Sequence, residues 1–346
     1  MRLIKREKGL SGFYLWRGQE VLIYRDKILI GDKEFETRPK DDFFAENDCL
    51  TRSVLGGGGE CQIYNNGDFE DEVVRYGARN DYFSPEVYYS VEEDREKGVE
   101  KYSFIENGQE YVFEVETKDF FMQMQYVPSH SILILPSFDE RQLHFYTKTG
   151  ERLWGYEEKE IVEVGGLFLS ANEEIFESKA MDLSKCLPVV DDVVVIISEI
   201  ITEGICKAQG FKIRTGEKLW ELRDDECPDY FFEGDDKMLY GCLTIFGDLI
   251  LCRLDPFTGK FDKWVVKSDK GLGVCPWNVT MHNNRLYYSS NRPGCEFGII
   301  DCGKKELVES VFLGLEEGYQ IGAPIVSDGK AYVFSRFAGE LRVYEL

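Results

Sequence analysis

Carboxylates are the residues best placed to do chemistry in this chain. They gather in four runs: Glu70-Asp71-Glu72, Glu92-Glu93-Asp94 with Glu96, Asp224-Asp225-Glu226, and Glu233 with Asp235-Asp236. Aromatic residues border some of them, as in "ARNDYFSPEVYY" and "CPDYFFEGDD". Acid beside Tyr and Phe makes a surface suited to a basic protein. The candidate partner-binding residues are therefore Glu92, Glu93, Asp94, Glu96, Asp224, Asp225, Glu226, Tyr230, Glu233, Asp235 and Asp236.

Other reactive types are present without the spacing that reactions need. His130, His144 and His282 stand far apart, whereas metal sites show closer spacing and further ligands. "LGGGGE" at 55–60 lacks the Lys-Ser/Thr that would touch phosphate and magnesium, so it reads as a loop. "NNGDFEDE" at 65–72 is rich in oxygen ligands, but its Gly comes too early for a calcium hand. No G-x-S-x-G marks a nucleophile elbow. The 10 cysteines are scattered and include no Cys-x-x-Cys, so each reads as a small buried hydrophobe kept reduced. These readings assign no catalytic residue, no metal site and no cofactor.

The charge balance narrows the partners. With 41 basic against 64 acidic residues the net charge is −23, which opposes nucleic acid and anionic membrane and leaves a basic protein. No apolar run approaches the roughly 18 residues of a membrane helix. The opening "MRLIKREKGL" lacks the apolar stretch of an export signal, so a cytoplasmic location is expected.

The elements that must position these residues are legible as repeats. "FYTKTGERLWGYE" at 145–157 and "FKIRTGEKLWELR" at 211–223 carry the same turn and the same Trp. A third copy is "CRLDPFTGKFDKW", and "GIIDCGKKELVES" is a weaker fourth, with Asp301 and Gly303 kept and Leu307 in the Trp place. The glycines 150, 216, 259 and 303 lie 66, 43 and 44 apart, so one unit carries an insertion, placed at 160–185 or 221–240. Before each copy comes a turn pair and a short apolar run, as in "VDDVVVIIS", "FGDLILCRL" and "NNRLYYSS". Runs of 4–7 residues rich in Val, Ile, Leu and Tyr are strands buried on both faces.

About four strands per unit and a period near 44 residues describe propeller blades, which bury both faces only when stacked in a ring. The expected fold is all-β: a β-propeller of about seven four-stranded blades, within a range of six to eight. "MRLIKRE" and the terminal "GELRVYEL" would share a blade and close the ring. The Gly of each Thr-Gly supplies a left-handed turn, and the Trp packs between neighbouring blades. Residues 1–346 are read as a single propeller domain, with clear repeats over 130–346 and divergent blades over 1–129. "SPEVYYSVEEDREKG" at 84–98 is the nearest candidate for a helix or insertion loop.

The Asp-x-x-Thr-Gly…Trp pattern resembles the PQQ-like, quinoprotein-type propeller repeat. Asp255, Thr258, Gly259 and Trp264 match it; Thr149, Gly150, Trp154 and Thr215, Gly216, Trp220 match without the Asp. The resemblance implies the fold. The quinone cofactor of that family is not expected, because the adjacent cysteines usual there are absent. The functional expectation is a non-catalytic cytoplasmic propeller that binds a protein through acidic, aromatic loop faces, for example an immunity-type inhibitor of a basic toxin. The alternative is a propeller enzyme, glycosidase-like or lyase-like, with carboxylates around the central channel.

Overall fold

The structure is a computed structural model. The structure describes residues 1–346 apart from 38–40, 47–48, 55–60, 66, 72–78, 85–86, 95–96, 117–123, 137–141, 159–186, 201–204, 229, 246–247, 268–273, 291–293 and 316–320. Among the described residues the strands form eight four-stranded antiparallel sheets, each an up-and-down meander. Seven follow in chain order: blade one (12–36), two (41–71), three (79–116), four (125–157), five (189–224), six (232–266) and seven (274–315). Blade eight joins three C-terminal strands (325–345) to the first strand, Arg2–Lys8, which pairs with Glu340–Glu345. Strands from both ends of the chain therefore complete one blade, as expected.

Period-two alternation explains why the sheets stack into a ring. In the strand Val193–Ile200, Val194 and Ile196 pack with Ile134, Phe145 and other residues of blade four. Val193 and Val195 point the other way and pack with Leu239, Ile250 and Cys252 of blade six. Similar apolar clusters join blades three to four, six to seven, seven to eight, eight to one, and one to two. Blades two and three meet where the strand Arg79–Ser84 approaches Asp41–Glu46 and Cys49–Val54. The succession returns on itself, so the eight blades make a closed propeller. Among the described residues an apolar core lies at each junction except the one between blades two and three, where the strands approach. The cysteines fit this core: Cys206, Cys227, Cys242, Cys252, Cys295 and Cys302 are buried free thiols.

The repeat motif is a joint between blades. Gly150, Gly216 and Gly259 have φ of +85°, +69° and +73°. A Cβ on Gly216 would lie 2.6 Å from the Trp154 ring, and one on Gly259 would lie 2.7 Å from the Trp220 ring. Each Trp thus lies on the turn of the next blade, and its indole N–H donates there: Trp154 to Ile213 O at 2.8 Å, Trp220 to Pro256 O at 2.7 Å. Asp255 shapes its own turn by accepting from the backbone N–H of Phe257 (2.9 Å) and from the Thr258 hydroxyl (2.7 Å).

The structure corrects the sequence reading at two places and decides it at a third. In the weak fourth copy, Lys305 donates its N–H to Asp301 O and has φ +61°, so Lys305 and not Gly303 fills the place of Gly259. Leu307 accordingly corresponds to Phe261, not to Trp264, because Leu307 pairs with Ile300 as Phe261 pairs with Leu254. The extra length lies between Glu157 and Val189, since 221–240 is filled by strands and the link between blades five and six. Residues Val87–Asp94, within the helix candidate, form a strand whose Val87, Tyr89 and Val91 face blade four. β-branched and aromatic residues at every second position favour that outcome.

Candidate functional site: the joined acidic turns of blades five and six

A meander sorts its connections onto two faces of the disc. The turns joining first to second and third to fourth strands lie at one end of each blade, here the turn face. The turn joining second to third strands and the link to the next blade lie at the other, the link face. This sorting divides the predicted acidic residues. Glu233, Asp235 and Asp236 belong to the first turn of blade six, on the turn face. Asp224, Asp225 and Glu226 follow the last strand of blade five, on the link face, and Tyr230 lies in the same link. Glu92, Glu93 and Asp94 end the second strand of blade three, also toward the link face but two blades away. Glu96, the Glu93 side chain and the "LGGGGE" loop lie outside the described residues. The predicted set is thus three separate places, not one patch.

The link-face carboxylates are largely engaged within the chain. The Lys263 ammonium bridges Asp224 at 2.9 Å and Glu226 at 2.7 Å. Burial works against that ammonium, but its hydrogen bonds to Glu226 and Asp224 outweigh burial and leave its pKa raised. Asp224 also accepts from the Glu226 N–H. Asp94 pairs with Lys97 at 2.9 Å and accepts its N–H, closing a turn.

The turn face is different, because neighbouring first turns touch. Lys237, in the blade-six turn, reaches back to both oxygens of Asp191 in the blade-five turn at 2.6 and 2.8 Å. The Asp235 N–H donates forward to Asn284 Oδ1 in the blade-seven turn at 2.8 Å. Within the turn, Asp236 accepts from the Tyr240 hydroxyl at 3.0 Å and from the Met238 N–H. Burial, reinforced by that bond to Asp236, pushes the Tyr240 hydroxyl up to about 12. Left-handed residues make these tight turns: Asp191 at φ +49°, Lys237 at +61° and Asn284 at +53°. The result is a tethered ledge that presents Asp192, Glu233 and Asp235 to solvent. Asp191 and Asp192 were not among the predicted site residues, although "VDDVVVIIS" places them at the same turn of the preceding blade.

The other reactive groups are dispersed. His130 sits at a turn-face loop of blade four beside Ser129, His144 is buried in that blade, and His282 ends the first strand of blade seven. Among the described residues no group of three His, Cys, Asp or Glu could hold a metal ion. Buried Glu158 accepts from Lys207 at 3.0 and 3.1 Å and from the hydroxyls of Tyr156 and Ser198. This network ties blade four to blade five and leaves its carboxylate saturated.

Comparison with known proteins finds similarity among solved structures. No family model matches the sequence, and no curated protein matches it. Among solved structures, the dihydro-heme d1 dehydrogenase NirN, in complex with DHE, is similar over 88% of this chain and 68% of its own, with TM-score 0.52 and 11% identity. Hsv2 of Kluyveromyces lactis gives TM-score 0.49 at 8% identity, covering 86% of this chain and 90% of its own. The Cps50 (Swd1) β-propeller domain of Myceliophteria thermophila gives 0.45 at 9%, covering 100% and 99%. At these identities the likeness is one of fold alone. Among the described residues no helix is long and apolar enough to cross a membrane.

Proposed function

We propose that this chain is a non-catalytic, cytoplasmic propeller that docks a basic protein on the joined acidic turns of blades five and six, within a PQQ-like type of repeat. The observation that carries the reading is the Lys237–Asp191 tie. It fixes two acidic turns against each other while Asp192, Glu233 and Asp235 stay exposed. Carboxylates held in fixed positions lose little entropy when they meet cations, and a net charge of −23 steers a basic partner toward them. In its sharpest form the partner is a basic toxin such as a nuclease, and the carboxylates stand in for phosphate as an immunity protein would.

The test is capture from an extract of the producing cells at low and high salt, read by mass spectrometry. Wild type is expected to retain a basic protein that high salt releases. The double reversal Asp192→Lys with Asp235→Lys should retain none while melting at an unchanged temperature. Equal capture by the reversed protein, or none by wild type, would sink the reading.

A further inference from the structure

A second site lies on the opposite face, where blade eight meets blades one and two. A cavity of about 650 Å³ opens there. Its walls include Phe13 and Tyr14 of blade one, Phe43 of blade two, and Tyr332 and Phe334 of blade eight. The Phe13 ring stacks on Tyr332 at 5.6 Å with 20° between planes, and lies 6.2 Å from Phe334. Arg336, in the turn that follows Phe334, lines the same cavity. Among the described residues its side chain makes no ion pair and no hydrogen bond, although the chain carries a large excess of acid.

Each feature restricts the occupant. The volume lies within the roughly 300–1,000 Å³ of small-molecule sites. The half-buried rings of Tyr14 and Phe334, backed by the buried rings of Phe13, Phe43 and Tyr332, favour a flat apolar body through area burial and offset ring contacts. An uncommitted guanidinium beside them favours an acidic group, because its planar fork pairs with a carboxylate or sulfonate through two N–H bonds. The field of the whole chain repels polyanions in proportion to their charge, so a single negative charge is selected. We propose that this cavity binds a small planar aromatic monoanion, its ring among the aromatic walls and its acid group on Arg336. This site is independent of the acidic ledge, which belongs to the other face and to other blades.

The test uses anilinonaphthalene sulfonate, a fluorescent aromatic anion, with neutral phenylnaphthylamine as its uncharged counterpart. Wild type should bind one anilinonaphthalene sulfonate per chain with a fluorescence increase. Arg336→Gln should weaken that binding roughly tenfold or more, the loss expected for one charged hydrogen-bonding partner. The same variant should bind phenylnaphthylamine as wild type does. Gly322 also lines the cavity, and a Cβ built on it meets nothing within 4 Å, so Gly322→Leu should fold and obstruct both probes. Circular dichroism and melting temperature confirm that both variants are folded. The proposal is overturned if wild type binds neither probe, if Arg336→Gln binds the anion as wild type does, or if Gly322→Leu leaves binding unchanged.

Discussion

The junction between blades five and six and the junction between blades three and four solve one problem with different residues. At the first, Trp220 lies on Gly259 and donates its N–H to Pro256 O at 2.7 Å, a neutral bond at the repeat turn itself, with the ion pairs of Lys237 and Lys263 lying elsewhere along the junction. At the second, Phe113 takes the Trp place: a Cβ on Gly150 would lie 2.2 Å from Phe113. Phe has no N–H to give, and the polar tie there is ionic. Glu106 of blade three accepts from Lys148 of blade four at 2.5 Å and from the Tyr126 hydroxyl. Turn geometry and ring burial are therefore common to both joints, while the hydrogen bond can be neutral or charged.

The sharpest way to break this comparison is Trp220→Ala. Its ring is half-buried, so the expected loss is about 3 kcal/mol, the low end for removing a core Trp. Urea unfolding at neutral pH measures it, and a loss under about 1 kcal/mol would deny the ring its role as a joint.

A smaller effect separates glycines that lie under a ring from glycines that do not. Gly259→Ala meets both its φ of +73° and the Trp220 ring, whereas Gly108→Ala meets a φ of +77° and open space. Left-handed strain alone costs about 1–2 kcal/mol, so Gly108→Ala should lose that much and Gly259→Ala clearly more. Equal losses would show that the Trp moves aside freely.

The smallest effect is one of pH. Hydrogen bonds from Lys148 and then Tyr126 hold the Glu106 carboxyl below its ordinary pKa of 4.5. A depressed folded pKa contributes stability that is present above the unfolded value and is lost as pH falls through the folded one. Wild type should lose stability between neutral pH and pH below about 4 in part through this group. Glu106→Gln should flatten that acid limb in melting experiments, while Trp220→Ala should leave its slope unchanged.

The same contrast explains what could be read in the sequence. Blades four to six announce themselves because Thr-Gly and Trp recur with their spacing intact. Blade three carries the same joint, but Phe113 and the Asn107-Gly108 turn replace the telltale letters, so its period is hidden. The copy at Asp301 misleads because Lys305 occupies the left-handed position that a reader expects glycine to mark. Its ammonium lies 3.9 Å above the Trp264 ring, so that joint uses a cation where the others use bare backbone. The candidate site was legible only in part. Asp235 and Asp236 stand out as an acidic turn, but their connection to Asp191 spans 46 residues and exists only once two blades are side by side. The aromatic cavity draws on blades eight, one and two, and no local pattern joins Phe13 to Arg336.

The closed succession of blade junctions bears on how the molecule opens. Every blade is held from two sides, so parting one junction turns the ring into an arc and frees no blade. A blade leaves only when both of its junctions part together. In a linear stack of repeats the end units fray first, because each has a single neighbour. A closed circuit has no such end, and its weakest joint sets where it gapes, not where it falls apart.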